Sequence, residues 1–295
     1  MTRTSPPPRG EGQGWGEVLP APHPGSLRSP TLPVEGECKR SNVVALWLFL
    51  VVLMGAALLP MPAGAAYEEI AVADGGVVSG VVKFVGAAPK LEPIAVNKNR
   101  DVCGETKPSE ALVVSGGGGV KGSVIRLEGV TRGKKSRGDV VIDNHHCLFV
   151  SHVSAAMSGD RVRVRNSDPI LHNTHGFLGK PTVFNLALPN RGQMIDITKR
   201  LSKPGAVHVL CDAHPHMFGW LVVHDSPYVA VTDDGGAFRL DGVPPGTWKV
   251  TMWHEGFRAR GVDKDGRPAY DEPRTVTKEI TLAPKGTATV EFELK

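Results

Sequence analysis

The sequence predicts an all-β fold on three observations. No long stretch repeats its apolar residues at helical spacing. Short, Val-rich runs follow one another instead, at 77–85, 120–127, 147–153, 161–165, 183–188, 194–198, 206–210, 221–223, 229–232, 247–253, 275–282 and 287–294. The 35 glycines and 24 prolines punctuate these runs, as turn residues punctuate strands. In Arg161-Val162-Arg163-Val164-Arg165 charged and apolar residues alternate strictly, the pattern of a half-buried strand. Runs 120–127 and 287–294 alternate more loosely.

Hydrophobic residues make up 41% and charged residues 22% of the 295-residue chain, which is globular composition. Ser115-Gly116-Gly117-Gly118-Gly119 reads as a flexible loop, and Asp233-Asp234-Gly235-Gly236 and Pro244-Pro245-Gly246 read as tight turns. Three parts result: an N-terminal β region over 67–140, a middle domain over 141–225 and a last domain over 226–295. The sequence leaves open whether the first part is a separate module or adds strands to the second. The net charge of +4 is spread along the chain with no basic block, which argues against a nucleic-acid partner.

Residues 39–66 read as a secretory signal. Lys39 and Arg40 precede an apolar run over 43–59, and Met61-Pro62-Ala63-Gly64-Ala65-Ala66 ends it with small residues. Cleavage after Ala65 or Ala66 places the mature protein outside the cytoplasm, secreted or periplasmic, with no stable membrane insertion. The alternative is an uncleaved anchor, since the run approaches the ~20 apolar residues that span a bilayer. Residues 1–38 are rich in Pro, Gly and Arg and show no periodicity, so they read as a disordered extension or as sequence upstream of the true start.

The cysteines are then informative. Of four, Cys38 leaves with the signal, and Cys103, Cys147 and Cys211 remain. An odd count in an oxidising compartment leaves one thiol to explain. A Cys103–Cys147 disulfide with Cys211 as a metal thiolate is the expected arrangement; a pairing through Cys211 would remove that thiolate.

Cys211-Asp212-Ala213-His214-Pro215-His216-Met217 lies between two strand-like runs. It offers a thiolate, an imidazole and a thioether on one short loop. Those are ligands of a His₂Cys copper site with a weak axial Met. Such a site needs one more imidazole. Asn166-Ser167-Asp168-Pro169-Ile170-Leu171-His172-Asn173, directly after the alternating strand, supplies it at His172. The expected copper ligands are therefore His172, Cys211, His214 and Met217. A Cys-x-x-His pair alone is a weak signal that often means zinc. Ile170, Leu171, Phe177, Pro215, Phe218 and Trp220 can form an apolar rim. No paired carboxylates, Ser-His-Asp order or phosphate loop accompany the site, so it reads as non-catalytic.

The Cys-x-x-His-x-x-Met spacing with Pro after the His resembles the ligand loop of the amicyanin family of blue copper proteins. The His-Asn-x-His pattern from His172 resembles the segment carrying that family's first ligand. The resemblance covers about 145–225 and implies a cupredoxin Greek-key β-sandwich, copper, and one-electron transfer with redox partner proteins. It also implies that Asn173 ties the His172 segment to the Cys211 loop, and that His214 presents its ring edge to solvent as the electron port. His216 departs from the family's loop, where an aromatic residue stands, and reads as solvent-facing or as a competing ligand. His145 and His146 read as exposed imidazoles at a strand end, with a second metal site as the alternative. His175 reads as a neighbour of the site, and His208 and His224 as structural.

Residues Tyr228 to Phe238, with Asp234-Gly235 in a turn, and then Pro244-Pro245-Gly246-Thr247-Trp248, resemble the carboxypeptidase regulatory-like, or transthyretin-like, β-sandwich. That implies a fold and says little of a ligand. The resulting expectation is a periplasmic type 1 copper protein carrying single electrons. A β-sandwich binding or adhesion protein with a vestigial metal site, and a copper storage or delivery protein, are the alternatives.

Overall fold

The computed structural model describes residues 67–295 apart from position 137, and nearly all of their regular structure is β-strand. The signal peptide and the N-terminal extension lie outside the described residues. The larger sheets pair into two sandwiches.

In the first, Asp139–His145, Leu148–Val150, Arg161–Asn166 and Met194–Asp196 form one sheet. Val153–Met157, His172–Leu178, Thr182–Leu188, Gly205–Leu210 and Phe218–His224 form the other. Arg161–Asn166 runs parallel to Asp139–His145, and Val153–Met157 parallel to Phe218–His224. Parallel neighbours cannot be joined by a tight hairpin, so the chain crosses between the two sheets of a β-sandwich. Alternation decides which face is buried. Val162 and Val164 point into the core, while Arg163 and Arg165 face outward and pair with Asp139 and Asp143 on the neighbouring strand. Phe149, Phe184, Leu188, Val207, Val209 and Leu221 complete this core, each contributing on the order of 1.5–3 kcal/mol by burial. Gly176 lies opposite Phe184, and a Cβ there would sit 2.4 Å from its ring. Only glycine lets that ring lie flat on the strand that begins at His172.

In the second sandwich, Val124–Glu128, Val229–Val231, Gly246–His254 and Arg274–Leu282 form one sheet, and Gly76–Phe84, Ala237–Val243 and Thr287–Leu294 the other. Gly76–Phe84 is the middle strand of its sheet, and Val124–Glu128 lies between Val229–Val231 and Gly246–His254. Their side chains Val78, Val82, Val124, Ile125 and Leu127 are fully buried. This corrects the three-part division. Region 67–140 supplies the interior strands Gly76–Phe84 and Val124–Glu128 to the last domain, while its segment holding Val96 and Cys103 packs on the middle one. Ala230 pairs with Ile125, so the whole first sandwich is inserted between two neighbouring strands of the second.

Between Gly76–Phe84 and Val124–Glu128 the chain makes an excursion. It holds a small hairpin, Ile94–Ala95 with Thr106–Lys107, and the helical turn Arg100–Cys103. Cys103 is disulfide-bonded to Cys147 across 44 residues, with Cα atoms 5.5 Å apart, and Cys211 is the free thiol among the described residues. That is the pairing expected from the cysteine count. A link closing a loop of this length stabilises by roughly 4 kcal/mol in the chain-entropy account, and here it staples the excursion onto the first sandwich.

Because residues 226–295 lack the interior strands Gly76–Phe84 and Val124–Glu128, they are not a self-contained unit. Expressed alone, this fragment is expected to give no cooperative thermal transition by circular dichroism; a sharp melt would contradict the pairing.

Candidate metal centre

Gly205–Leu210 and Phe218–His224 are antiparallel, with Leu210 opposite Phe218. Residues 211–217 are therefore the loop closing that pair. Cys211 N–H donates to the Met217 carbonyl at 3.2 Å and Met217 N–H to the His214 carbonyl at 2.9 Å, which folds the loop back on itself. His175 pairs with Leu210 on the other side, so His172, three residues earlier on that strand, lies beside the loop. Sheet register thus brings together donors that are far apart in sequence.

One ligand atom each from His172, Cys211 and His214 fall within 4.8 Å of one another, and all three residues are buried. Cys211 Sγ lies 3.6 Å from His214 Nδ1. Met217 is fully buried at the end of the same loop. The tie expected of Asn173 is present: its backbone N–H donates to Cys211 Sγ at 3.4 Å, and its side-chain oxygen accepts from Asp212 N–H at 3.1 Å.

Each imidazole is held at its other nitrogen. His172 Nε2 bonds to Asp168 Oδ2 at 2.9 Å, which leaves Nδ1 buried and unpartnered. His214 Nε2 bonds to Asn99 Oδ1 at 3.0 Å, which leaves its Nδ1 toward the sulfur. Metal-binding histidines characteristically have the second nitrogen anchored to an oxygen in this way. Asp168 also accepts the backbone N–H groups of His146 and Cys147, both at 2.8 Å. Burial alone would raise its pKa, but these bonds and His172 hold it below the usual carboxylate range. Burial lowers the pKa of His172, and takes His214 down to about 4 with help from the neighbouring His172. Both rings are therefore neutral and ready to bind a cation. Burial pushes the Cys211 thiol up, against the pull of the N–H groups of Asn173, His214 and Ala213 and the charge of Arg267. Two imidazole nitrogens and a sulfur, buried and convergent, fit copper's soft ligand preference.

Asp168 and Asn99 were missed from the sequence as partners of the site. Asp168 stood in the right segment, four residues before His172. Asn99 lies 115 residues from His214 with no local signal. Arg267 was missed too. It sits in the turn of a separate hairpin, Ala259–Val262 with Pro268–Tyr270, which the chain makes between the strands Gly246–His254 and Arg274–Leu282 of the second sandwich. Its guanidinium donates to the carbonyls of Pro215, Met217 and Cys211 at 3.2, 3.1 and 3.1 Å.

The exposed port does not hold. His214 is 1% exposed, because the excursion carrying Asn99, stapled by Cys103–Cys147, covers its outer nitrogen. His216 is not solvent-facing either. It is buried with both ring nitrogens unpartnered, and it does not join the cluster of ligand atoms. The apolar rim divides: Leu171 is exposed, while Phe218 is buried against Tyr270 with ring centres 5.7 Å apart. His145 and His146 stack on each other at 3.9 Å. The other three-donor group among the described residues is Cys147, Asp168 and His172, and there the cysteine sulfur is committed to the disulfide. His175 bonds to Asp212 at 2.9 Å, as befits a neighbour of the site. His208 stacks on Trp220, and His224 bonds to the Leu127 carbonyl, both structural as expected.

No family model and no curated protein matches this chain. Among solved structures it is similar in part to a reduced amicyanin variant, with 24% identity over 30% of this chain and 86% of that one and a TM-score of 0.27. A second reduced amicyanin variant overlaps 40% of this chain and 95% of its own at 22% identity and a TM-score of 0.26. A purple cupredoxin from Nitrosopumilus maritimus overlaps 30% and 100% at 19% identity and a TM-score of 0.25.

If Asp168 fixes the His172 ring, Asp168→Asn is expected to weaken copper binding by about 10–100-fold while the fold persists. A competition titration against a chelator measures this, and unchanged affinity would contradict the role.

Proposed function

We propose that this chain is a secreted type 1 copper protein that carries single electrons, with His172, Cys211 and His214 as the strong ligands and Met217 as the weak axial one. The observation that carries this reading is the convergence of two anchored imidazoles and one free thiol in a buried pocket. Bound copper would supply one-electron exchange between its two oxidation states. The protein's part is to hold the donors still. Asn173, Asp168 and Asn99 fix the sulfur and the two rings before any metal arrives, so little has to move when the charge changes. Cys211 gives up its proton on binding, so affinity falls as the pH is lowered.

Burial of the whole donor set and the clamped loop favour a carrier over storage or delivery, which calls for open exchange. Secretion to the periplasm is supported by the Cys103–Cys147 disulfide, a bond of oxidising compartments. The second sandwich is read as a transthyretin-like module that supports the ligand loop.

The copper(II)-loaded protein is expected to show an intense visible charge-transfer band from the Cys211 thiolate. Cys211→Ser should abolish it, and survival of the band in that variant would exclude Cys211 as a ligand.

A further inference from the structure

The loop 211–217 is held by more than its own strands. Its carbonyls at Cys211, Pro215 and Met217 converge on one side chain, the Arg267 guanidinium, which comes from the hairpin between two strands of the second sandwich. Buried carbonyls left without donors are costly. A planar fork with fixed N–H directions can serve three of them at once, which a flexible ammonium cannot do equally well. Arg267 is itself fixed. Its backbone N–H donates to Asp263 Oδ1 at 2.9 Å, and its Nε lies 3.9 Å from Asp263 Oδ2. Its side chain is only 11% exposed, so solvent screens its charge poorly.

We propose that Arg267 is a positioning residue for the metal loop, and that its charge raises the reduction potential of the site. This rests on the copper reading. A thiolate with two neutral imidazoles leaves the oxidised site one charge more positive than the reduced one. A fixed cation beside the loop disfavours the more positive state, and so favours reduction. The guanidinium that carries the charge is hydrogen-bonded to the carbonyl of Cys211 itself at 3.1 Å, one residue's length from the sulfur. The consequence is that a hairpin carried by the second sandwich takes part in the site: the turn over 263–267 sets both the shape of the ligand loop and its electrostatics.

The test uses the full mature chain with Arg267→Met, which removes fork and charge, and Arg267→Lys, which keeps the charge. A third variant, Asp263→Asn, loosens the anchor alone and serves if Arg267→Met does not fold. Two readouts are taken: the reduction potential of copper-loaded protein, and amide hydrogen exchange of residues 211–217 in copper-free protein. Arg267→Met is expected to lower the potential by an amount equal to roughly a tenfold change in the ratio of copper(II) to copper(I) affinity, ~59 mV. Arg267→Lys should keep most of the potential, and Arg267→Met, Arg267→Lys and Asp263→Asn should all speed loop exchange. Unchanged loop exchange in the Arg267 variants, or in Asp263→Asn where Arg267→Met fails to fold, overturns the positioning role whether or not copper binds. An unchanged potential in Arg267→Met with the visible band intact overturns the electrostatic role and leaves the copper reading standing. A parent protein without the band overturns the copper reading itself.

Discussion

The site depends first on the burial of a free thiol beside two buried imidazoles. Cys211 is fully buried, and a lone thiolate in such surroundings is strongly disfavoured. The protein compensates with a few aimed dipoles and one charge: the Asn173 N–H on the sulfur, and Arg267 on the far side of the loop. On the proposed copper reading the largest compensation would come from the metal, since burial alone pushes the thiol's pKa up. The same dryness keeps His172 and His214 neutral, which is the protonation state that can ligate.

Two chain segments from outside the first sandwich close over that pocket. The excursion bearing Asn99 is stapled by Cys103–Cys147, and the turn bearing Arg267 belongs to a hairpin between two strands of the second sandwich. Insertion of one sandwich between neighbouring strands of the other makes this possible. The chain leaves the second sandwich after Val124–Glu128 and returns at Val229–Val231, its antiparallel partner, which fixes both ends of the insert. The outer edge of His214 is therefore shielded by the chain itself, and burial of Phe218 against Tyr270 removes a further part of what would otherwise be an apolar face.

What was legible in the sequence was local. The alternation of Arg161 to Arg165 gave the strand and its buried face, because side-chain direction has a period of two. The Cys211–Met217 spacing gave the loop donors, and reading Cys211 as a metal thiolate left Cys103 and Cys147 to pair. Pairing was not legible. Turn residues at 233–236 and 244–246 mark where strands end, but Gly76–Phe84 and Val124–Glu128 find their partners more than a hundred residues away, so the last domain looked complete without them. Asn99 and Arg267 escaped for the same reason: each acts through long-range contacts that no spacing announces. The exposure of His214 was inferred from resemblance, and it failed because this chain carries an excursion over the loop.

The most direct test of the central claim is X-ray absorption at the copper edge of the loaded protein, because it reports the atoms around the metal without assuming a spectrum. The account predicts one short copper–sulfur distance and two copper–nitrogen distances, with the sulfur scatterer lost in Cys211→Ser. A copper environment of nitrogen and oxygen alone in the parent protein would contradict it.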